Sequence, residues 1–357
     1  MSRTLEIRNL SGMVTGRLAE EMLEPEVIRI EDGLIAGFEP GPEPDQVLDA
    51  GGAVVSPGLI DSHSHVVFGD WPRDREGVKA LAVTAQRAFD TFRPGGVKVL
   101  AGSVIMEPTL EPEDFAELRD KGVWLAKVGF GDFNPQADAA PLVRAAQEAG
   151  FVVMNHTGGA SIPDSSPVTI EDVLALGCDI IGHANGGTTA LADEDLPRLF
   201  EAPGVIQLVQ AGNLRSSIEI IERAYDMDLI EKLVIATDTP TGTGVMPLGM
   251  IKTVCELSSL AGLRATDALA LATGNNAAVL RRPEGILEEG RPADLFCMFA
   301  PLGSSCDTPL EAIQFGDIPG IAAVMIDGEV RALRSRNTPA PDGECRLIER
   351  GSVEADA

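Results

Sequence analysis

The chain has four histidines, and each stands just past or at the end of an apolar run. His63 and His65 form a His-x-His pair behind the run 53–60, His156 closes 151–156, and His183 closes 178–183. Neutral imidazole is the commonest protein ligand for zinc and related metals. Two further residues are out of place unless they have a task. Lys127, one of six lysines, sits inside the apolar run 123–130. An ammonium there is costly unless it pairs with a carboxylate or loses its charge. Asp238 ends the run 233–238, where it could be a ligand or the N-cap of a following helix. His63 and His65 are two apart, so an extended chain points both to one face. Together the six residues form a candidate ligand shell. Its nitrogen and oxygen donors suit zinc, iron(II), manganese or cobalt, with zinc favoured by the imidazoles.

Such a shell needs a scaffold that brings distant strand ends to one place. The middle of the chain alternates apolar runs at 53–60, 97–106, 123–130, 151–156, 178–183, 204–210 and 233–238 with amphipathic segments at 77–92, 111–121, 138–149, 169–176, 193–201, 216–229 and 248–261. Strands that are apolar throughout, separated by helices, imply a parallel sheet. The region 53–283 approaches the length of a (β/α)8 barrel, in which chemistry gathers at the C-terminal ends of the strands. Seven strands are legible, not eight. After His65 a charged stretch at 69–76 leads straight to a helix, so the barrel is expected to be one βα unit short, with 69–76 as a loop from which Arg73 or Arg75 could reach the site. Residues 1–52 and 284–345 read as short strands with turns, including Asp327-Gly328 as a hairpin signal, and are expected to pair into one small β-sandwich domain. Residues 346–357 are expected to be a mobile tail.

The bulk numbers exclude some functions. With 28 basic against 55 acidic residues the net charge is −27, which argues against nucleic acid and anionic membranes as partners. The five cysteines are scattered, without a Cys-x-x-Cys, and no secretory leader or membrane-spanning run is visible. A cytoplasmic enzyme is the expectation.

At this level the sequence resembles the amidohydrolase superfamily of metal-dependent barrel hydrolases. The motif around His63 and His65 (Val55-Ser-Pro-Gly-Leu-Ile-Asp-Ser-His-Ser-His), the return Gly285-Ile-Leu-Glu-Glu-Gly-Arg-Pro-Ala-Asp-Leu and the segment from Thr273 carry the likeness. Stretches at 155–163, 183–190, 238–249 and 336–341 look most like enamidase and related cyclic amide hydrolases. The resemblance implies a two-metal centre. His63, His65 and Asp238 would hold the more buried ion, and His156 and His183 the more exposed one. Lys127 would bridge them as a carbamate formed with carbon dioxide. Here the chain departs from enamidase, where a glutamate is expected at the bridge; other branches use lysine.

The implied reaction is hydrolysis of a cyclic amide or enamide C–N bond by a metal-activated hydroxide, with Asp238 handling the proton. Thr157, Asn185, Gln210, Asn213 and Arg215 lie just past strand ends and are candidate substrate contacts, Arg215 for a carboxylate. The family further implies a homo-oligomer. The rival readings are hydrolysis of dipeptides, N-acyl amino acids or imidazolones, deamination, or a barrel scaffold without catalysis.

Overall fold

The computed structural model describes residues 3–65, 72–90, 92–93, 95–100, 102–160, 162, 165–240 and 244–350. The chain divides into two compact units, one of residues 1–60, 95–97 and 250–357, the other of 61–94 and 98–249.

The chain opens with short strands β1 (Thr4–Arg8), β2 (Gly12–Met13), β3 (Ile28–Glu31), β4 (Leu34–Gly37), β5 (Gln46–Asp49) and β6 (Val54–Pro57). It continues through α1 (Arg75–Phe89), β7 (Ser103–Ile105), α2 (Pro112–Asp120), β8 (Leu125–Val128), α3 (Ala140–Glu148), β9 (Val152–Asn155), α4 (Ile170–Leu176), β10 (Ile180–Ile181), β11 (Val205–Val209), α5 (Leu214–Asp226) and β12 (Leu233–Ala236). The last part comprises α6 (Gly249–Ala261), α7 (Ala265–Leu271), α8 (Gly274–Val279), β13 (Leu295–Phe299), α9 (Pro309–Phe315), β14 (Gly320–Ile326), β15 (Glu329–Leu333) and β16 (Arg346–Glu349). Among the described residues no helix is long and apolar enough to cross a membrane.

The first unit holds two five-stranded sheets, ordered β16-β5-β1-β3-β4 and β15-β14-β13-β6-β2. Leu5, Ile7, Ile28, Ile30 and Leu48 of one sheet and Met13, Val55, Leu295, Cys297 and Met325 of the other share one buried core, as in a sandwich. Both chain ends contribute, and Asp327-Gly328 turns β14 into β15 with positive φ at both residues, the geometry a tight hairpin demands. Two expectations change here. The run 53–60 is not a strand of the large parallel sheet: Val54–Pro57 pairs antiparallel with β13 and parallel with β2. Residues 346–349, read as tail, form β16 against β5, and 351–357 lie outside the described residues. All five cysteines are unbonded.

The second unit carries a six-stranded parallel sheet, ordered β12-β11-β10-β9-β8-β7. β9, β10 and β12 are buried at every position, as strands covered on both faces must be. Among the helices of this unit, α1 and α4 start on side-chain caps. Asp74 accepts from the Gly77 amide at α1, and Thr169 and Asp172 close a reciprocal capping box at α4. The segment 193–201, expected as a helix, forms a 3-10 helix with Pro197 inside it. Beside β12, Ser64 bridges Thr239 in parallel, with His65 N donating to Thr239 O and Asp238 N to His63 O. The histidine pair is thus joined by a single bridge to the segment after β12, separate from 53–60. Only residues 66–74 separate His65 from α1, too few for the strand and crossover of a further βα unit; within that stretch, 69–71 of the expected loop lie outside the described residues.

Candidate metal centre

Strand register sets the level of the side chains. Lys127 on β8 pairs with Met154 on β9, and Asn155 pairs with Ile181 on β10. His156 and His183 therefore leave neighbouring strand ends at nearly the same height, whereas Lys127 starts two residues lower and spans the difference with its four-carbon stem. At the far side β12 ends at Ala236, two residues before Asp238.

All six residues converge in the second unit. His65 Nε2 lies 3.1 Å and His63 Nε2 3.3 Å from Asp238 Oδ1, and the three residues offer donor atoms within 4.8 Å of one another. Lys127 Nζ lies 3.4 Å from His63 Nε2 and 3.4 Å from Asn155 O. The ring centroids of His156 and His183 are 4.6 Å apart, and those of His63 and His183 5.6 Å. His183 and Asp238 both take positive φ, 37° and 54°, a backbone state that side chains enter at a cost of about 1–3 kcal/mol and that clusters at functional sites. Gly182 makes room for the lysine: a Cβ there would stand 2.3 Å from Asn155 O and 3.0 Å from Lys127 Nζ.

The electrostatics suit cation binding. Burial pulls His63 down to about 3 and His156 to about 4, helped by the charge of Lys127. His183 falls well below the usual imidazole range for the same reasons. These rings are neutral at physiological pH, the state a metal ligand needs. Burial pulls the Lys127 ammonium down to about 8, against the raising influence of Asp238. Burial would raise Asp238, but the His65 hydrogen bond, the neighbouring imidazoles of His63 and His183 and the charge of Lys127 outweigh it and hold the carboxyl well below its usual range. Asp238 therefore faces the histidines as an anion. Among the described residues no carboxylate reaches ion-pair distance of Lys127. Among the described residues the buried Nδ1 atoms of His156 and His183 have no hydrogen-bond partner. An orphaned buried polar atom costs about 1–3 kcal/mol, so this donor set fits divalent cations better than it fits an empty core.

The candidate substrate contacts separate. Thr157 is buried and accepts from Asn155 Nδ2. Asn185 is buried, with both amide hydrogens donated to Val209 O and Ser217 Oγ. Asn213 is the N-cap of α5, accepting from the Arg215 amide. Arg215 is exposed and pairs with Asp193 and Glu219. Gln210 is half-buried just past β11, its amide bonded to Ala236 O. Arg73 binds Glu107 and Phe130 O, and the Phe130 ring lies 4.8 Å from that of His156; Arg75 binds Asp114 and Glu111. Sequence reasoning missed Asp61 and Gln207. Asp61 ties the His63 amide to Thr237. Gln207 contacts both His63 and His183. The signal for Gln207 was a lone polar residue inside Val205-Ile-Gln-Leu-Val.

Residues 110–331 match the amidohydrolase family model. The chain belongs to that family. Among relatives of this amidohydrolase, enamidase of Eubacterium barkeri is 37% identical over 388 aligned residues, covering 98% of this chain and 100% of the relative. Those 388 positions exceed the 357 residues here, so enamidase carries segments without a counterpart in this chain. The crystal structure of enamidase superposes with a TM-score of 0.90 at 36% identity, over 97% of this chain and 100% of that one. An imidazolonepropionase of Mycolicibacterium smegmatis is 24% identical over 92% of this chain and 97% of its own length. A putative prolidase from Bifidobacterium longum shares the fold alone, with a TM-score of 0.63 at 20% identity, covering 94% of this chain and 96% of that one.

Proposed function

We propose that this amidohydrolase opens the C–N bond of a cyclic amide or enamide, using two divalent cations held at the strand ends. The observation that carries the reading is the convergence of His63, His65, Lys127, His156, His183 and Asp238 around one buried locus, on a chain similar to enamidase along nearly its whole length. In it His63, His65 and Asp238 hold one cation and His156 and His183 the other, with zinc favoured by the imidazoles. When bound, the cations supply Lewis acidity, drawing the pKa of water toward neutrality and polarising a carbonyl.

The protein's own groups do the rest. Asp238, ionised and bonded to His65 Nε2, accepts a proton from the attacking water at its carboxylate and returns it to the leaving ring nitrogen. Lys127 has an amine that is neutral in part near physiological pH, and that amine adds carbon dioxide to give an anionic carbamate. The C–N bond forms, one amine proton leaves to solvent, and the site gains an oxygen donor where no carboxylate of the described residues lies at ion-pair distance. Phe130, its ring 4.8 Å from that of His156, limits water on that side of the reacting centre. The site suits a small molecule, and assembly into a homo-oligomer is the expectation carried by the family.

The test is metal reconstitution followed by a panel of lactams and cyclic enamides, with N-acyl amino acids, dipeptides, imidazolones and aminopurines alongside. Turnover confined to cyclic amides, with two metals per chain, supports the reading. Turnover confined to another class moves the activity there. A chain that binds no metal under any condition removes it.

A further inference from the structure

We infer that Gln207 is a positioning residue that fixes the tautomer of His63 and ties it to the backbone of His183. Gln207 lies fully buried in the middle of β11, an amide among apolar neighbours. Its Oε1 is 2.7 Å from His63 Nδ1 and 3.3 Å from the backbone nitrogen of His183, while its Nε2 donates to Ser62 Oγ at 2.9 Å.

The protonation pattern follows from one group whose role is not open. A backbone N–H only donates, so the side-chain atom facing the His183 amide is the oxygen. That same oxygen faces His63 Nδ1, which must then carry the hydrogen. His63 Nε2 is left with the lone pair, and this is the atom beside Asp238 Oδ1 and Lys127 Nζ. The Ser62 hydroxyl takes the Gln207 donor and keeps the amide from turning over. One glutamine thus holds the His63 ring and the positive-φ backbone of His183, just past β10, with a single oxygen. Partners of this kind orient metal-binding histidines and raise their basicity. The assignment rests on the metal reading, because it concerns which nitrogen of His63 is offered to a cation.

The experiment is long-range proton–nitrogen correlation NMR of the chelator-treated full chain labelled at histidine, with zinc affinity measured by chelator competition. In the wild type, His63 is expected to be protonated at Nδ1; protonation at Nε2 overturns the inference. Gln207→Leu is expected to mix the tautomers and weaken zinc binding by roughly 10- to 100-fold. Gln207→Glu keeps an acceptor for both N–H groups and is expected to restore the Nδ1 proton and bring affinity to within a few-fold of wild type. A merely structural role would lower thermal stability in Gln207→Leu and leave both the tautomer and the zinc affinity of the folded protein unchanged, which also overturns the inference. If Gln207→Leu does not fold, Ser62→Ala decides with the wild-type spectrum. It frees the amide to turn and is expected to weaken zinc binding severalfold, and an unchanged tautomer and affinity sink the idea. A wild type that binds no zinc refutes the metal reading, whereas one that binds zinc through a differently protonated His63 refutes only the role of Gln207.

Discussion

Two lysines of this protein are equally hidden and behave in opposite ways. Lys79 and Lys127 are each 7% exposed. Lys79, on α1, meets Glu76 at 2.9 Å, Asp114 at 3.1 Å and Glu117 at 2.9 Å, and hydrogen bonds to Glu117 and Glu76 hold its ammonium well above the usual range. Lys127 meets an imidazole nitrogen and a backbone carbonyl, and burial pulls it down to about 8. Burial alone therefore does not set a lysine's charge; the partners do. Between α1 and α2 the chain supplies carboxylates, and Arg75 joins the same Asp114, so the cluster is a structural knot. Among the described residues no carboxylate lies within ion-pair distance of Lys127, and burial favours its neutral amine.

Four measurements can break or sharpen this contrast. The largest effect is expected from Asp238→Asn, which should lower kcat by about 10²- to 10⁴-fold with KM changed only a few-fold; an unchanged kcat removes Asp238 from proton transfer. Next, Lys127→Ala should reduce bound metal and lower kcat/KM by on the order of 10²- to 10³-fold, whereas Lys79→Ala should leave kcat within about twofold. Equal effects of the two on turnover would erase the distinction. Third, Asp114→Ala leaves Arg75 and Lys79 facing each other without their shared anion, and urea unfolding should show a loss on the order of 3 kcal/mol at unchanged metal content.

The smallest effect is in pH. Burial would raise Asp114, but Arg75, the Glu111 amide and Lys79 outweigh it, so its folded pKa lies below the ordinary 3.8. Its stabilisation is present above 3.8 and is lost as pH falls through the folded value. Lys79 lies above the ordinary 10.5, so its stabilisation is present below 10.5 and lost as pH rises through its folded value. The stability difference between wild type and Asp114→Asn should hold a plateau between these limits and shrink in acid. A difference that grows below pH 3.8 would contradict the sign of the Asp114 shift.

Much of the site was legible because its residues violate local rules. An ammonium in an apolar strand and imidazoles at strand ends are visible without coordinates. β8 to β12 were readable for the same reason, being apolar on both faces. What escaped was relational. Apolar content does not say which sheet a strand joins, so 53–60 was assigned beside the histidines although β6 pairs with β13, more than two hundred residues away. Asn185 and Asn213 were legible only as polar residues past strand ends; that one bonds Val209 and Ser217 and the other caps α5 is visible only in their hydrogen-bond partners. Gln207 breaks the same rule as Lys127 and was passed over because an uncharged amide signals less strongly than a charge.

The notch at Gly182 has a consequence for any shortened residue 127. Its tightest wall is the Asn155 carbonyl, which belongs to the main chain and does not retreat when a neighbouring side chain is cut back. Truncating Lys127 removes the amine beside His63 Nε2 and leaves that carbonyl where it stands. On the proposed carbamate reading, formate supplied to Lys127→Ala is expected to restore part of the lost metal content, and no restoration would count against the carbamate.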